Sequence, residues 1–466
     1  MPETSLVRPT GLTLGLEERP ALPQNLALGL QHVLVSNVWL DPVFVAAVAG
    51  LPVALAGNLV NAIFLAAGLV SLVQSTRLVK LPVVEGPSAA FDGLMIGFGK
   101  AGQLAMATTG LLIGGAIIFL LSVTGIIGRL RRLFTPAVTG AVILLVGIAL
   151  AQFTLVEYFG GDTKAPTFAS PPTLIIATAT LLTVVLLSGF GRGALRSYAF
   201  LWGLLVGDIV SAGFGRLSFT TAAAAPWLGI PQLLPYGGLQ FNAGVTAALL
   251  FAFVVATIEA IGVYYAAGEI VQTPITNRRI NLGMAGEAAG SMISALFGGF
   301  ATTAYAQNVG LLKLTGVGSR HPVTVAGVIF LVLAFVPKLG AALVATPDPV
   351  VGGIFLPAAA SLIFTGVVAL ARTPDTSRHI AVGGLAVMLG TGIPALGDPL
   401  MTHLPATIAE LASQPVVVGA IVALVLEGLL VQLPDALGYR AQPIGATTTG
   451  PADVIAAPTS EARSPR

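Results

Sequence analysis

Glu259 sits in the middle of the apolar run Val255-Ala256-Thr257-Ile258-Glu259-Ala260-Ile261-Gly262, and Glu287 sits in Met284-Ala285-Gly286-Glu287-Ala288-Ala289-Gly290. An acid at the centre of a membrane-spanning helix costs about 2.5–3.5 kcal/mol on insertion scales, so one kept there is expected to serve a function. A carboxylate accepts charge-assisted hydrogen bonds from adjacent N–H groups, and it can also carry a proton. The alternative for both acids is a structural pairing with Lys313 or a backbone donor. His32, in Leu30-Gln31-His32-Val33, is a third ionisable group inside an apolar stretch, with packing as its alternative role. Asp208 and Glu427 read as structural or gating groups, and Asp92, in half-helix three, is a candidate to face the cavity.

Other chemistry is excluded. The chain has no cysteine, so it has no disulfide, thiolate ligand or cysteine nucleophile. His32, His321, His379 and His403 lack metal-ligand spacing. Gly97-Phe98-Gly99-Lys100-Ala101-Gly102 matches a dinucleotide-binding glycine pattern, but it follows a membrane segment instead of a soluble strand. No Walker motif, nucleophile elbow or nucleophile–base pair is found. The reading is therefore no enzyme and no cofactor, with transport driven by a gradient.

The elements that hold these residues are set by composition. Of 466 residues, 55% are hydrophobic and 9% charged, against about 25% charged in soluble domains. Lipid is the expected solvent. The fold class is an all-α polytopic membrane protein. Its fourteen segments are expected at 24–48, 52–75, 88–98, 102–127, 135–154, 171–189, 197–215, 242–266, 280–298, 307–316, 321–341, 349–371, 377–396 and 412–433. With the N-terminus inside, the inner loops collect most of the arginines (for example Arg129, Arg131, Arg132, Arg278, Arg279 and Arg320), and the outer loops hold Lys100, Lys164, Arg216 and Lys338. Residues 1–23 show no cleavable signal peptide, and 441–466 read as a disordered cytoplasmic tail.

Segments three and ten are too short to cross. Leu81-Pro82-Val83-Val84-Glu85-Gly86-Pro87 precedes one and Gly298-Gly299-Phe300-Ala301-Thr302-Thr303-Ala304-Tyr305-Ala306 precedes the other. Both lead-ins read as extended chain entering a half-helix, with Ser88 and Asn308 as N-caps. Irregular backbone at membrane depth lines a cavity or is buried in protein. Thr135-Pro136-Ala137-Val138-Thr139-Gly140 and Asp348-Pro349-Val350-Val351-Gly352-Gly353 open segments five and twelve, seven apart. That spacing implies two inverted repeats, whose matching interruptions point to a binding site.

Ala306-Gln307-Asn308-Val309-Gly310-Leu311-Leu312-Lys313-Leu314-Thr315-Gly316-Val317 resembles the signature of the nucleobase–ascorbate transporters, also called nucleobase–cation symporter family 2. Gly29 to Leu34, Thr135 to Gly140, the Glu259 region, Ser319-Arg320 and Phe335 to Ala341 match in order, so that the resemblance spans residues 24–435. It implies a core domain of segments 1–4 and 8–11 (24–132 and 241–342). Segments 5–7 and 12–14 (133–240 and 343–440) would form a gate domain, which also serves as a homodimer surface. It further implies proton-coupled uptake by an elevator-like motion. By the same resemblance Glu259 binds the base, Gln307 reads the opposite edge with Asn308 beside it, Glu287 couples the proton, and His32 shapes the site. Ser88 and Ala89 fall at the half-helix-three part of the site. Val263 stands where the family often has His or Asp, and Ala89 where it often has a stacking Phe, with Phe91 close by. Glu85-Gly86-Pro87 is also atypical.

The expected function is a nucleobase:proton symporter of the inner membrane, with both termini cytoplasmic. By the resemblance, Gln307 implies a purine such as xanthine or urate in preference to uracil. Sodium is the second choice of coupling ion, and no nucleic-acid partner is expected. The alternatives are a uracil:proton symporter of the family and an anion transporter of the same fold.

Overall fold

The computed structural model describes residues 11–374 and 377–438. The expectations for residues 1–10, for Arg440 and for the 441–466 tail lie outside the described residues. The main helices in chain order are α1 Leu22–Ser36, α2 Leu40–Val48, α3 Val53–Thr76, α4 Asp92–Lys100, α5 Leu104–Val123, α6 Pro136–Tyr158, α7 Pro171–Phe190, α8 Ala199–Gly213, α9 Ala243–Ile270, α10 Asn277–Leu296, α11 Ala306–Thr315, α12 His321–Ala334, α13 Pro337–Val344, α14 Asp348–Ala371, α15 Ser377–Ala395 and α16 Pro415–Leu426. Strand β1 (Glu85–Pro87) precedes α4, and β2 (Thr302–Ala304) precedes α11.

Every expected segment coincides with a helix. Among the described residues, eight spans are long and apolar enough to cross a membrane, and nine if the bent pair α12–α13 counts as one. The two half-helices, at nine and ten residues, would reach about 14–15 Å, half a hydrocarbon core.

Two expected continuous segments are broken. Residues 24–48 divide at Asn37, whose backbone is left-handed (φ 54°) and whose Nδ2 donates to the Val35 carbonyl at 3.1 Å. Asn tolerates that conformation better than other residues with a Cβ. Segment eleven bends by 85° between α12 and α13. There Val336 precedes Pro337 and is held out of the helical region (φ −115°, ψ 79°), as a residue before proline tends to be. Segment fourteen continues from α16 through a π-helical turn over Glu427–Gln432.

The helices pack as α3 on α12, α5 on α10, α1 on α12, α9 on α5, α7 on α8, α15 on α16 and α6 on α14. At the α3–α12 crossing Gly68 and Gly327 bring the backbones so close that a Cβ on Gly68 would lie 2.7 Å from the Leu331 nitrogen. The core runs between α3, α9 and the two strands, where Phe44, Ile63, Phe91, Tyr264 and Phe300 are fully buried. The outer faces of α7, α8, α14 and α15 leave Leu186, Phe190, Ile209, Phe364 and Met388 exposed. A belt of that kind suits lipid and would be a liability in water.

Candidate functional site

The two strands pair antiparallel in the middle of the molecule, in the register Glu85↔Ala304, Gly86↔Thr303 and Pro87↔Thr302. Ser88 N–H donates to the Ala301 carbonyl at 3.0 Å, and Tyr305 N–H to that of Val84 at 2.9 Å, which closes the ladder at both ends. Gly86 has a specific steric role: a Cβ there would lie 2.7 Å from the Tyr305 ring. Thr303 Oγ1 donates to the Ala256 carbonyl at 3.4 Å and ties β2 to α9 one turn before Glu259.

Where the strands meet the half-helices, a cavity of about 130 Å³ is lined by Asp41, Pro87, Ala89, Glu259, Tyr305 and Gln307 on one side, and by Phe200, Phe355 and Ser361 on the other. An apolar cavity of about 150 Å³ holds a benzene ring, so the space is on the scale of one small flat molecule. Three acceptor or amide groups converge in it. Ser88 Oγ donates to Glu259 Oε2 at 3.4 Å, and Tyr305 O–H donates to Asp41 Oδ2 at 3.0 Å. Gln307, exposed on the first turn of α11, presents an amide with both donors and an acceptor. Phe355 stacks on Phe44 with ring centroids 3.7 Å apart and forms a rigid apolar wall.

Ala89, Glu259 and Gln307 thus share one cavity, with Ser88 reaching Glu259. Asn308 and His32 form a second group behind it. Asn308 is fully buried, and its Nδ2 lies 3.0 Å from the His32 carbonyl and 3.1 Å from His32 Nδ1. Glu287 lies in a third group, where Tyr264 O–H donates to its Oε1.

Several expectations are corrected. Ser88 and Asn308 are not N-caps. The residues preceding α4 and α11 are Phe91 and Tyr305, neither with a side-chain cap. Ser88 belongs to the strand ladder, and the Asn308 amide has a better partner in His32 than in its own helix. The pairing of an acid with Lys313 does not form, because Lys313 is exposed in the last turn of α11. Phe91 does not replace the missing stacking ring: it is buried edge-on against Phe253, centroids 5.0 Å apart. Asp92 is fully buried without lining the cavity. Glu427 has a structural place, accepting from Thr135 Oγ1 at 3.1 Å and Gln432 Nε2 at 2.9 Å.

Asp41, Tyr305 and Phe355 also line the cavity, beyond the residues expected from sequence. Asp41 carried a usable signal, since it is an acid inside an apolar segment directly before Pro42. Tyr305 carried another, as the last residue before a half-helix.

The uric acid permease PucJ of Bacillus subtilis (strain 168) is 30% identical over 426 residues, covering 89% of this chain and 94% of that one. The xanthine permease of the same organism is 28% identical over 415 residues, covering 88% and 94%. Among solved structures, the transmembrane domain of the cyanobacterial bicarbonate transporter BicA superposes with a TM-score of 0.56 at 16% identity, covering 89% of this chain and all of that one, a likeness of fold alone. Residues 23–398 match the model of the Permease family (Xan_ur_permease). This integral membrane chain therefore belongs to that permease family, which consists of transporters and not enzymes.

Proposed function

We propose that the protein is a nucleobase:proton symporter that takes up a purine, with xanthine and urate favoured over uracil. The observation that carries the reading is that Glu259 and Gln307 open onto one ring-sized cavity. A purine edge offers N–H groups to a carboxylate and a mixed donor–acceptor edge to an amide. The similarity to uric acid and xanthine permeases supports the purine class.

The cavity wall supports an elevator-like mechanism. Asp41, Ala89, Glu259 and Gln307 come from the expected core (24–132 and 241–342), and Phe200, Phe355 and Ser361 from the expected gate (133–240 and 343–440). The fourteen-segment inverted repeat has support in the packing. Advancing each segment by seven turns α3 on α12 into α10 on α5, α1 on α12 into α9 on α5, and α7 on α8 into α15 on α16. Glu287 carries the coupled proton, and His32 acts through Asn308 on the shape of the site. The exposed apolar gate faces serve lipid and a homodimer contact, in an inner membrane with both termini cytoplasmic.

The test is uptake of radiolabelled xanthine, urate and uracil in cells lacking their own permeases, each competed by the other bases. Protonophore-sensitive, sodium-independent purine uptake is expected. Uptake of uracil alone would replace the purine by the family's pyrimidine alternative. Sodium-driven uptake that resists the protonophore would overturn the coupling. An anion transporter of the same fold is disfavoured, because Asp41 and Glu259 both line the cavity.

A further inference from the structure

Glu85, in β1, takes no part in the cavity. Its side chain is fully buried, and its backbone N–H donates to Ser71 Oγ at 2.9 Å. Ser71 lies one turn before Gln74 on α3, and the Gln74 amide reaches the Tyr264 hydroxyl that donates to Glu287 on α10, so the two buried carboxyls belong to one cluster. Hydrogens are scarce around this pair. Tyr264 O–H goes to Glu287 Oε1. Gln74 Nε2 is occupied by the Tyr264 oxygen at 3.2 Å and the Gly283 carbonyl at 2.8 Å. Both oxygens of Glu85, Oε2 of Glu287 and Oε1 of Gln74 are then buried acceptors without a donor among the protein atoms. The titratable groups facing the pair are Tyr264 and, farther along α9, Glu259. Neither is a cation, and no ion pair among the described residues includes Glu85 or Glu287. Two carboxylates in one buried cluster, out of water and without a cation, do not both stay ionised.

We propose that Glu85 and Glu287 form a proton-sharing carboxyl pair, and that this pair is where the carrier takes up and releases its driving proton. In the loaded form the O–H of one carboxyl donates to the other. On release that O–H bond breaks, the proton passes to water, and the charge on the pair goes from one to two. The repulsion would act on β1, which carries Glu85 three residues before Ser88, the residue that reaches Glu259. Proton occupancy at one end of the strand is thereby coupled to the cavity wall at the other.

This inference rests on the proton-symport reading, and the experiment separates the two. Accumulation and exchange are measured for whichever of xanthine, urate and uracil the wild type accumulates, across an acidic to alkaline series. Glu85→Gln and Glu287→Gln should each lower gradient-driven accumulation at least about tenfold and flatten its pH profile, while exchange of preloaded substrate stays within about threefold. Wild-type accumulation and pH profile in Glu85→Gln would overturn the pair while leaving proton symport standing. So would loss of exchange together with accumulation in a Glu85→Gln protein that reaches the membrane. Sodium-driven wild-type uptake would overturn both readings. Should Glu85→Gln fail to assemble, difference infrared spectra of the purified wild type and Glu287→Gln decide. A protonated-carboxyl band that titrates in the wild type and is lost in Glu287→Gln supports the pair, and an identical spectrum in both overturns it.

Discussion

The two strand–half-helix arms share a topology and differ in chemistry. The β2–α11 arm puts Tyr305 and Gln307 on the cavity and anchors itself behind it through Asn308 and His32. The β1–α4 arm gives the cavity only Pro87 and Ala89, with Ser88 approaching Glu259 at 3.4 Å, and turns Phe91 and Asp92 into the core. On the proposed function, one arm reads the ligand. The other supplies a backbone wall and, at its far end, Glu85. On that reading, the polar residues each arm keeps at its interruption decide which arm recognises the substrate.

The largest effect is expected at the residue both arms approach. Glu259→Gln replaces a carboxyl acceptor of the cavity by an amide and should lower uptake about thirtyfold or more, the range for removing one side of a buried charged contact. Near-normal uptake at saturating purine, with the protein in the membrane, would remove Glu259 as the anchor.

Gln307→Glu tests whether the second arm reads an edge. A carboxylate only accepts, so one purine acceptor would face an oxygen in a dry site, at about 1–3 kcal/mol or roughly ten- to hundredfold in affinity. The protonated acid offers one donor in place of the amide, so the defect should be milder at acidic pH, and uracil transport could emerge. Inhibition constants for xanthine and uracil at two pH values decide it; an unchanged profile at both rejects the assignment. Asn308→Ala, which removes the tether to His32, should cost about three- to tenfold in uptake. Ser88→Ala on the first arm should cost less than about threefold, because its bond to Glu259 is long. If Ser88→Ala proved more damaging than Gln307→Glu, the asymmetry between the arms would be wrong.

Much of this frame was legible in the sequence. Pro82, Pro87 and Gly86 on one side and Gly298 and Gly299 on the other forbid helix at two matching places, and both became strands. Glu259 was visible as an isolated charge in an apolar run. Caps were misread because a cap is a local inference: the Asn308 amide found its partner 276 positions away in sequence. The clustering of Glu85 with Glu287 is hidden for the same reason, since each acid taken alone has no visible partner. The break at Val336–Pro337 follows from proline sterics and was open to prediction, whereas the left-handed Asn37 needed the surrounding packing to select it.

The smallest expected effect lies at the far ends of the arms, where they differ again. Beyond α11 the chain is strapped by residues 13–19. Thr13 N–H donates to the Gly316 carbonyl at 2.6 Å, Gly318 N–H to that of Leu14 at 2.9 Å, and Ser319 Oγ to that of Glu18 at 2.6 Å. Arg320 closes the strap on Glu17 at 2.7 Å and also donates to the Ser75 carbonyl at 2.8 Å. At the end of α4, Lys100 lies over the Phe153 ring at 5.3 Å. The Arg320 guanidinium holds the Glu17 carboxyl below its ordinary range, against a smaller opposing effect of burial. A carboxyl so lowered stabilises the fold above its unfolded pKa, and that contribution is lost as pH falls through the lower, folded value. Glu17 is 49% exposed, so the ion-pair contribution is screened and at most about 1 kcal/mol. Glu17→Gln should therefore lower the thermal midpoint of the purified protein slightly at neutral pH, with the difference from wild type vanishing well below about pH 4. Arg320→Ala should cost more at neutral pH, because it also releases the Ser75 carbonyl, and part of that deficit should persist in acid. Equal deficits for the two variants at every pH would mean that the strap acts through packing alone.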